Sequence, residues 1–283
     1  MKPIVYSFIA ASAFAFLGCD YVNKPTSVTP GGGTTPTPNV VTRKVLVEDY
    51  TGHECGNCPA AAIKGQDLEN LYHDQVVLLA VHAGYFADPA AAPFTDDFRC
   101  TAGTDWDTFF GISQGAGNPN GMINRKDYPA GTHIKNHNNW AAETSPFINQ
   151  AADVKLSITP NYNTSAKTLD VSVKSKFIHA LSANYKLSVV LAEDSIVGAQ
   201  KDYSQNPSVI TNYLFMHVLR GGINGSWGDP VNTAAVAAND SITKSYTGFA
   251  INPLYNENRL HVIAFLYNAA TYEVIQVEEV KMK

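Results

Sequence analysis

The sequence predicts an α/β domain followed by an all-β antiparallel sandwich, on three observations. First, a short apolar β run, Val45-Leu46-Val47, passes through the turn Thr51-Gly52-His53 into Cys55-Gly56-Asn57-Cys58 and then into a helical pattern. Second, Val76 to His82 (VVLLAVH) is almost purely apolar, as expected of a central strand covered on both faces. Third, beyond residue 150 the pattern turns to period-two alternation, as in Val154-Lys155-Leu156-Ser157-Ile158 and Leu169-Asp170-Val171-Ser172-Val173. The 283 residues suffice for two domains, and the 45% apolar content supports a sizeable core. A net charge of −5 gives no electrostatic case for nucleic acid.

Residues 1–18 read as an export signal. Lys2 supplies a positive start, and the apolar run Ile4 to Leu17 is too short to span a bilayer. It ends Phe16-Leu17-Gly18-Cys19, which resembles a bacterial lipobox with Phe16 where an aliphatic residue is usual. That reading implies cleavage before Cys19 and lipid attachment there; several acyl chains anchor stably where one does not. The other reading is an ordinary signal peptide with a stray cysteine. Residues 19–42 are dominated by Pro, Gly, Thr and Ser, which cannot bury enough apolar surface to order the chain, so a flexible tether is expected. Asp20 alone follows Cys19, so no clustered-acid surface-export signal is evident and the membrane face stays open.

Residues 43–150 form the expected α/β part. A strand covers Arg43 to Tyr50, and a helix runs from the cysteine pair to about His73. Its positions Ala61, Gly65, Leu68 and Tyr72 step by four, three and four along one face. The segment Ala83 to Thr104 is long and rich in Ala, Pro and Asp, and it holds Cys100; such loops are uncommon unless they carry function or helical pieces. A short helix over Asp105–Phe110, a loop at Pro119, a strand over Met122–Arg125 and a helix around Lys135–Ala142 follow, with no final edge strand evident. Residues 151–283 carry the sandwich, with further strands over Tyr185–Val189, Ile242–Phe249, Arg259–Tyr267 and Glu273–Val280. No cysteine staples this half.

The cysteines sit where a strand hands over to a helix. Unpaired N–H groups and partial positive charge at a helix start favour a thiolate, so Cys55 is expected to have a lowered pKa. Pro59 suits a first helical turn. In one reading Cys55, partly exposed, attacks a substrate and the deeper Cys58 resolves the mixed disulfide. In the other, the pair is a permanent bridge pinning the helix start, plausible in an oxidising compartment. Gly56-Asn57 carries no cation and Glu54 is adjacent, so a weaker oxidant is expected than one with histidine between its cysteines. His53 offsets Glu54 only if it turns inward; such loop histidines are more often solvated. Glu48 faces away from Asp49, since strand side chains alternate. Cys100 could pair transiently with the CxxC or act as a third redox thiol; burial as an inert thiol is the commoner fate. A zinc site would need His53 with His82 or Cys100, and no second close pair exists, so no metal or cofactor is expected. Tyr213, His217 and Trp227 read as sandwich core and loops in preference to a ligand groove.

The CxxC at a strand–helix junction, Asp49 six residues before Cys55, and Gly117-Asn118-Pro119-Asn120-Gly121-Met122-Ile123 together resemble a thioredoxin-like domain. The resemblance implies that Asp49 takes the proton of Cys58. It also implies that Pro119 is a cis-proline whose loop lies against the disulfide and offers backbone to an extended peptide. The expected fold is therefore an α/β thioredoxin-like domain followed by an all-β, immunoglobulin-like antiparallel sandwich. The whole layout resembles the outer-membrane-protein-28-related lipoproteins of the Bacteroidota. Thr51-Gly52…Cys55-Gly56-Asn57-Cys58-Pro59, Gly121 to Arg125 and His217-Val218-Leu219-Arg220 carry that likeness. It implies outer-membrane attachment through Cys19. Two functions stand: a thiol–disulfide oxidoreductase or isomerase acting on exported proteins through Cys55, Cys58, Asp49 and Pro119, or a non-catalytic envelope scaffold with a structural disulfide.

Overall fold

The computed structural model describes residues 41–283, so the expected export signal, Cys19 and nearly all of the tether lie outside the described residues. β1 (Val45–Thr51) is buried along its whole length. Side chains alternate across a strand, so Val45 and Val47 pack with Ala61 and Leu68 of α1 (Cys58–Tyr72) on one face. Leu46 and Tyr50 point to the other face, against Trp106 and Phe110 of α2 (Thr101–Phe110). β1 runs parallel to β2 (Val76–His82), with Asp49 beside Ala80 and Thr51 beside His82. On its other side it pairs antiparallel with β3 (Asn120–Ile123), which in turn pairs with β4 (Lys135–Asn136).

Two local expectations change. Residues 135–136 form an edge strand where none was evident, because their backbone is taken by Asn120 and Gly121. The helix expected there is reduced to α3 (Trp140–Thr144), with the buried Trp140 donating its indole N–H to the Lys135 carbonyl at 3.1 Å. α2 begins four residues early, at the cap formed by Cys100, whose sulfur accepts from Gly103 N–H.

The rest of the described chain is strand. In order come β5 (Val154–Asn163), β6 (Thr168–Phe177), β7 (Tyr185–Glu193), β8 (Ile196–Lys201), β9 (Val209–Phe215), β10 (Val218–Gly222), β11 (Asp229–Asn232), β12 (Ser241–Ala250), β13 (Leu260–Asn268) and β14 (Val274–Lys281). The sequence pattern missed β8 to β11. The main sheet has the order β14-β13-β7-β10-β2-β1-β3-β4, with β11 on β7. A separate sheet, β12-β6-β5, contributes Leu156 and Val171 to a core shared with Leu187, Val189, Val262 and Leu266 of β7 and β13. The opposite faces of the same two strands carry Val190, Ala192, Ile263 and Phe265 into the core around α2. The molecule is thus mostly β, with a few helices and several antiparallel sheets. The boundary expected at residue 150 runs through one sheet, since β10 pairs parallel with β2 and antiparallel with β7.

Candidate functional site

The chain leaves the C-terminal end of β1, turns at Gly52 and closes a disulfide between Cys55 and Cys58, with their Cα atoms 5.3 Å apart. Cys58 is the first residue of α1 and Pro59 the second, so the missing proline N–H costs no helical bond. Both cysteines are buried, Cys55 to 3% and Cys58 to 2% exposure. The partial exposure expected of Cys55 is therefore absent, and the cause is the β8–β9 hairpin. Lys201 N–H donates to the His53 carbonyl and Tyr203 N–H to the Gly56 carbonyl, each at 2.8 Å. The Gln200 carboxamide donates to the carbonyls of Cys55 at 3.0 Å and Gly52 at 3.4 Å. The Tyr203 ring lies across Gly56 so closely that a Cβ there would stand 2.5 Å from it. On the other flank, Glu54 N–H donates to the Phe86 carbonyl at 3.0 Å, and a Cβ at Gly52 would lie 2.4 Å from that group. Both glycines are thus demanded by close approach of neighbouring chain.

His53 turns inward and is 1% exposed, against the expectation of a solvated loop histidine. Its ring stacks on Phe94 at 5.6 Å and meets Phe98 edge-on at 6.0 Å, and Nε2 lies 3.1 Å from the Asp88 carbonyl. The long segment after β2 supplies these partners, which explains both its length and its aromatics.

Asp49 lies beneath the disulfide. With Thr51, Cys58, His82, Gln200 and Phe215 it lines a space of about 40 Å³. It also forms the inner end of a cavity of about 200 Å³ between α1 and β9, walled by Ile63, Leu78, Tyr213, Leu214 and His217. Its Oδ1 is buried without a hydrogen-bond partner, and burial raises the carboxyl to about 7. Beside it His82 is buried among Phe98 and Phe215 with neither ring nitrogen paired; burial holds it neutral, with a pKa lowered to about 3.

Glu48 faces away from Asp49, as alternation requires, and forms a fully buried bidentate pair with Arg125 at 2.9 and 2.7 Å. The guanidinium lies over Trp106 at 4.5 Å and Phe265 at 4.9 Å. The sequence signalled this pair only as two adjacent acids, of which one needed a cation, and a lone arginine ending the Gly121–Arg125 motif. The Asn118–Pro119 bond is cis and Pro119 is buried. Because Asn120 stands opposite Tyr50, Pro119 is held at the same end of β1 as the cysteine turn. Of the remaining candidates, Cys100 is a free, half-buried thiol pushed up by burial. Tyr213 and His217 line the larger cavity, whereas Trp227 packs against Phe109 and Tyr272. Among the described residues no three His, Cys, Asp or Glu side chains are grouped to hold a metal.

The family model of Outer membrane protein Omp28 matches residues 107–283, more than half of the chain. The chain belongs to the Omp28 family. This Omp28 chain is accordingly an outer-membrane protein. Its structure is similar to that of HBP35 of Porphyromonas gingivalis (TM-score 0.61, 17% identity, 85% of this chain and 76% of that chain covered). It is also similar to a protein of Agrobacterium tumefaciens (TM-score 0.53, 12% identity, 86% of this chain and 96% of that chain). At these identities the likeness is one of fold alone. A domain of the outer membrane lipoprotein Omp28 from Porphyromonas gingivalis matches with a TM-score of 0.30 and 21% identity, over 47% of this chain and 89% of that chain. Comparison with curated proteins finds no match.

Proposed function

We propose that this Omp28 protein, tethered by lipid at Cys19, carries out thiol–disulfide exchange on exported proteins through a thioredoxin-like part (residues 43–150) that precedes a β-sandwich part (151–283). The observation that carries this reading is the Cys55–Cys58 disulfide at the start of α1 with a buried, unpaired Asp49 carboxyl beside Cys58. The cis-Pro119 loop at the same end of β1 supports it. In the dithiol form, the Cys55 thiolate attacks a substrate disulfide, forming a Cys55–substrate bond and releasing one substrate thiolate. Cys58 gives its proton to the Asp49 carboxylate, and the resulting thiolate attacks the Cys55 sulfur. The second substrate thiolate leaves and the Cys55–Cys58 bond is restored, so the substrate gains two electrons and the protein loses two. Run backwards, the same steps oxidise a dithiol. A carboxyl with a pKa of about 7 is partly ionised at neutral pH and suits a proton acceptor.

The experiment is trapping. A Cys58→Ser variant cannot resolve, so envelope proteins are expected to accumulate as mixed disulfides on Cys55. A second reading, a scaffold with a structural bridge, is favoured by one observation, the burial of both sulfurs. A reduction potential below about −300 mV, the range of structural disulfides, together with no trapped partners, would establish that reading instead.

A further inference from the structure

We propose that the Gln200–Tyr203 segment stands where the substrate docks on the cysteine turn, and that the substrate is an extended polypeptide segment that takes its place. This inference rests on the exchange function proposed above and names its substrate class. Two N–H groups two residues apart, those of Lys201 and Tyr203, donate to carbonyls of the turn at His53 and Gly56. An incoming strand likewise offers N–H groups at alternate residues, here to turn carbonyls three residues apart. The Gln200 carboxamide adds bonds to Cys55 and Gly52 carbonyls, and the Tyr203 ring lies across the side-chain-free surface at Gly56. Four carbonyls of one short turn, at Gly52, His53, Cys55 and Gly56, therefore accept from one crossing chain. A row of backbone acceptors beside a disulfide matches a polypeptide and gives a small thiol nothing to grip.

The covering chain, although Ala199, Gln200 and Asp202 are buried, can part from the turn without breaking the main sheet. β8 and β9 pair only with each other and are not part of the main sheet. A two-stranded hairpin is marginal by itself. Its root is fixed by Phe215, which packs with Phe98 and Val218. Elsewhere it exposes apolar side chains, Val197 at 62%, Tyr203 at 64% and Leu214 at 52%. Tyr203 thus lies with its ring against Gly56, between the two cysteines in sequence, while most of the side chain stays in water. Displacing the segment frees the four carbonyls and uncovers the sulfurs together.

The test follows reduction of the Cys55–Cys58 bond by dithiothreitol in the wild type and in Tyr203→Ala, Gln200→Ala and Tyr203→Phe, with the synthetic peptide Ala-Gln-Lys-Asp-Tyr-Ser-Gln as docking probe. Tyr203→Ala and Gln200→Ala are expected to speed reduction about tenfold or more, since each loosens local closure, and Tyr203→Phe is expected to match wild type. In the two fast variants the peptide is expected to shift the NMR amide signals of residues 52–58, and in wild type to leave them in place. Equal reduction rates in all four proteins, or unmoved amides in the alanine variants, would overturn the inference. Dithiothreitol opens the bond whether or not the protein turns over protein substrates. Fast variants without insulin reduction would therefore sink the exchange reading and leave the covering role, while normal turnover with equal rates would sink the inference alone.

Discussion

Asp49 is the residue on which the proposed exchange turns, and its environment makes a signed prediction. Burial raises its carboxyl from 3.8 to about 7. The unfolded chain therefore releases this proton at lower pH than the folded one, so folding stability is lost as pH rises from about 4 to about 7 and is level above that. The shift corresponds to roughly 4 kcal/mol at neutral pH and above. Asp49→Asn is accordingly expected to raise the melting temperature at pH 8 and to leave it nearly unchanged at pH 4. The same variant is expected to slow exchange by about 10²-fold, the scale of a lost general base. A variant that is neither more stable nor slower at pH 8 would deny Asp49 the buried role. His261 titrates with the opposite sign. It lies 3.2 Å from Asp194 and 3.0 Å from Glu279, and these two hydrogen bonds raise its pKa to about 9. Its contribution is complete below about pH 6.5 and disappears as pH climbs through 9. With part of the ring in water, roughly 1–2 kcal/mol is at stake. His261→Gln should flatten the loss of stability between pH 7 and 10 seen in urea titrations; an unchanged slope would place the titration elsewhere.

At the scale of elements, what the sequence shows is periodicity, and what it conceals is position. β1, α1 and β2 were legible because apolar runs and a helical face each obey one period over seven residues or more. So was the placing of Cys55, Cys58 and Asp49 at one junction. The β8–β9 hairpin was not. β9 reads VITNYLF, yet of its seven residues only Phe215 is buried, so no alternation marks a core-facing side. β8 spends Gly198 on close approach to Phe98 and Gln200 on backbone carbonyls, neither of which a hydrophobic pattern records. The burial of Cys55 followed from this missed element, whereas the inward turn of His53 followed from Phe94, Phe98 and Asp88 of the segment after β2. A hairpin held by a few polar bonds and a small root should open more readily than the sheet beneath it. Native-state hydrogen exchange is therefore expected to show the Lys201 and Tyr203 amides exchanging at least about 10²-fold faster than those of Leu46 to Tyr50. Equal protection in the two groups would mean that the hairpin opens only with the whole fold.

For the whole molecule the decisive fact is that sequence halves and structural halves differ. β2 is flanked on one side by β1 and on the other by β10, a strand from beyond residue 200. Trp106 donates its indole N–H to the Ser226 carbonyl at 2.6 Å and meets Phe265 edge-on. Arg125, paired to Glu48, is sandwiched between rings of α2 and of β13. Removing residues 151–283 would strip β10 from one edge of β2 and unroof Trp106 and the Arg125 guanidinium, while β1 would keep both of its strand neighbours, β2 and β3. The packing of Val190, Leu219, Ile263 and Phe265 against α2 and the first strands is lost as well, at roughly 1.5–3 kcal/mol per large side chain left in water, and a few of these equal the stability of an entire small domain. The fragment 41–150 is therefore expected not to fold, giving a far-ultraviolet spectrum of an unfolded chain and no cooperative melt, although it contains Cys55, Cys58, Asp49 and Pro119. A cooperative transition in that fragment would show that residues 41–150 are self-sufficient and that the later strands merely dock on them. Without such a transition, the surroundings of the Cys55–Cys58 disulfide form only when both halves of the chain have met, and the strands beyond residue 150 are structurally part of the proposed site.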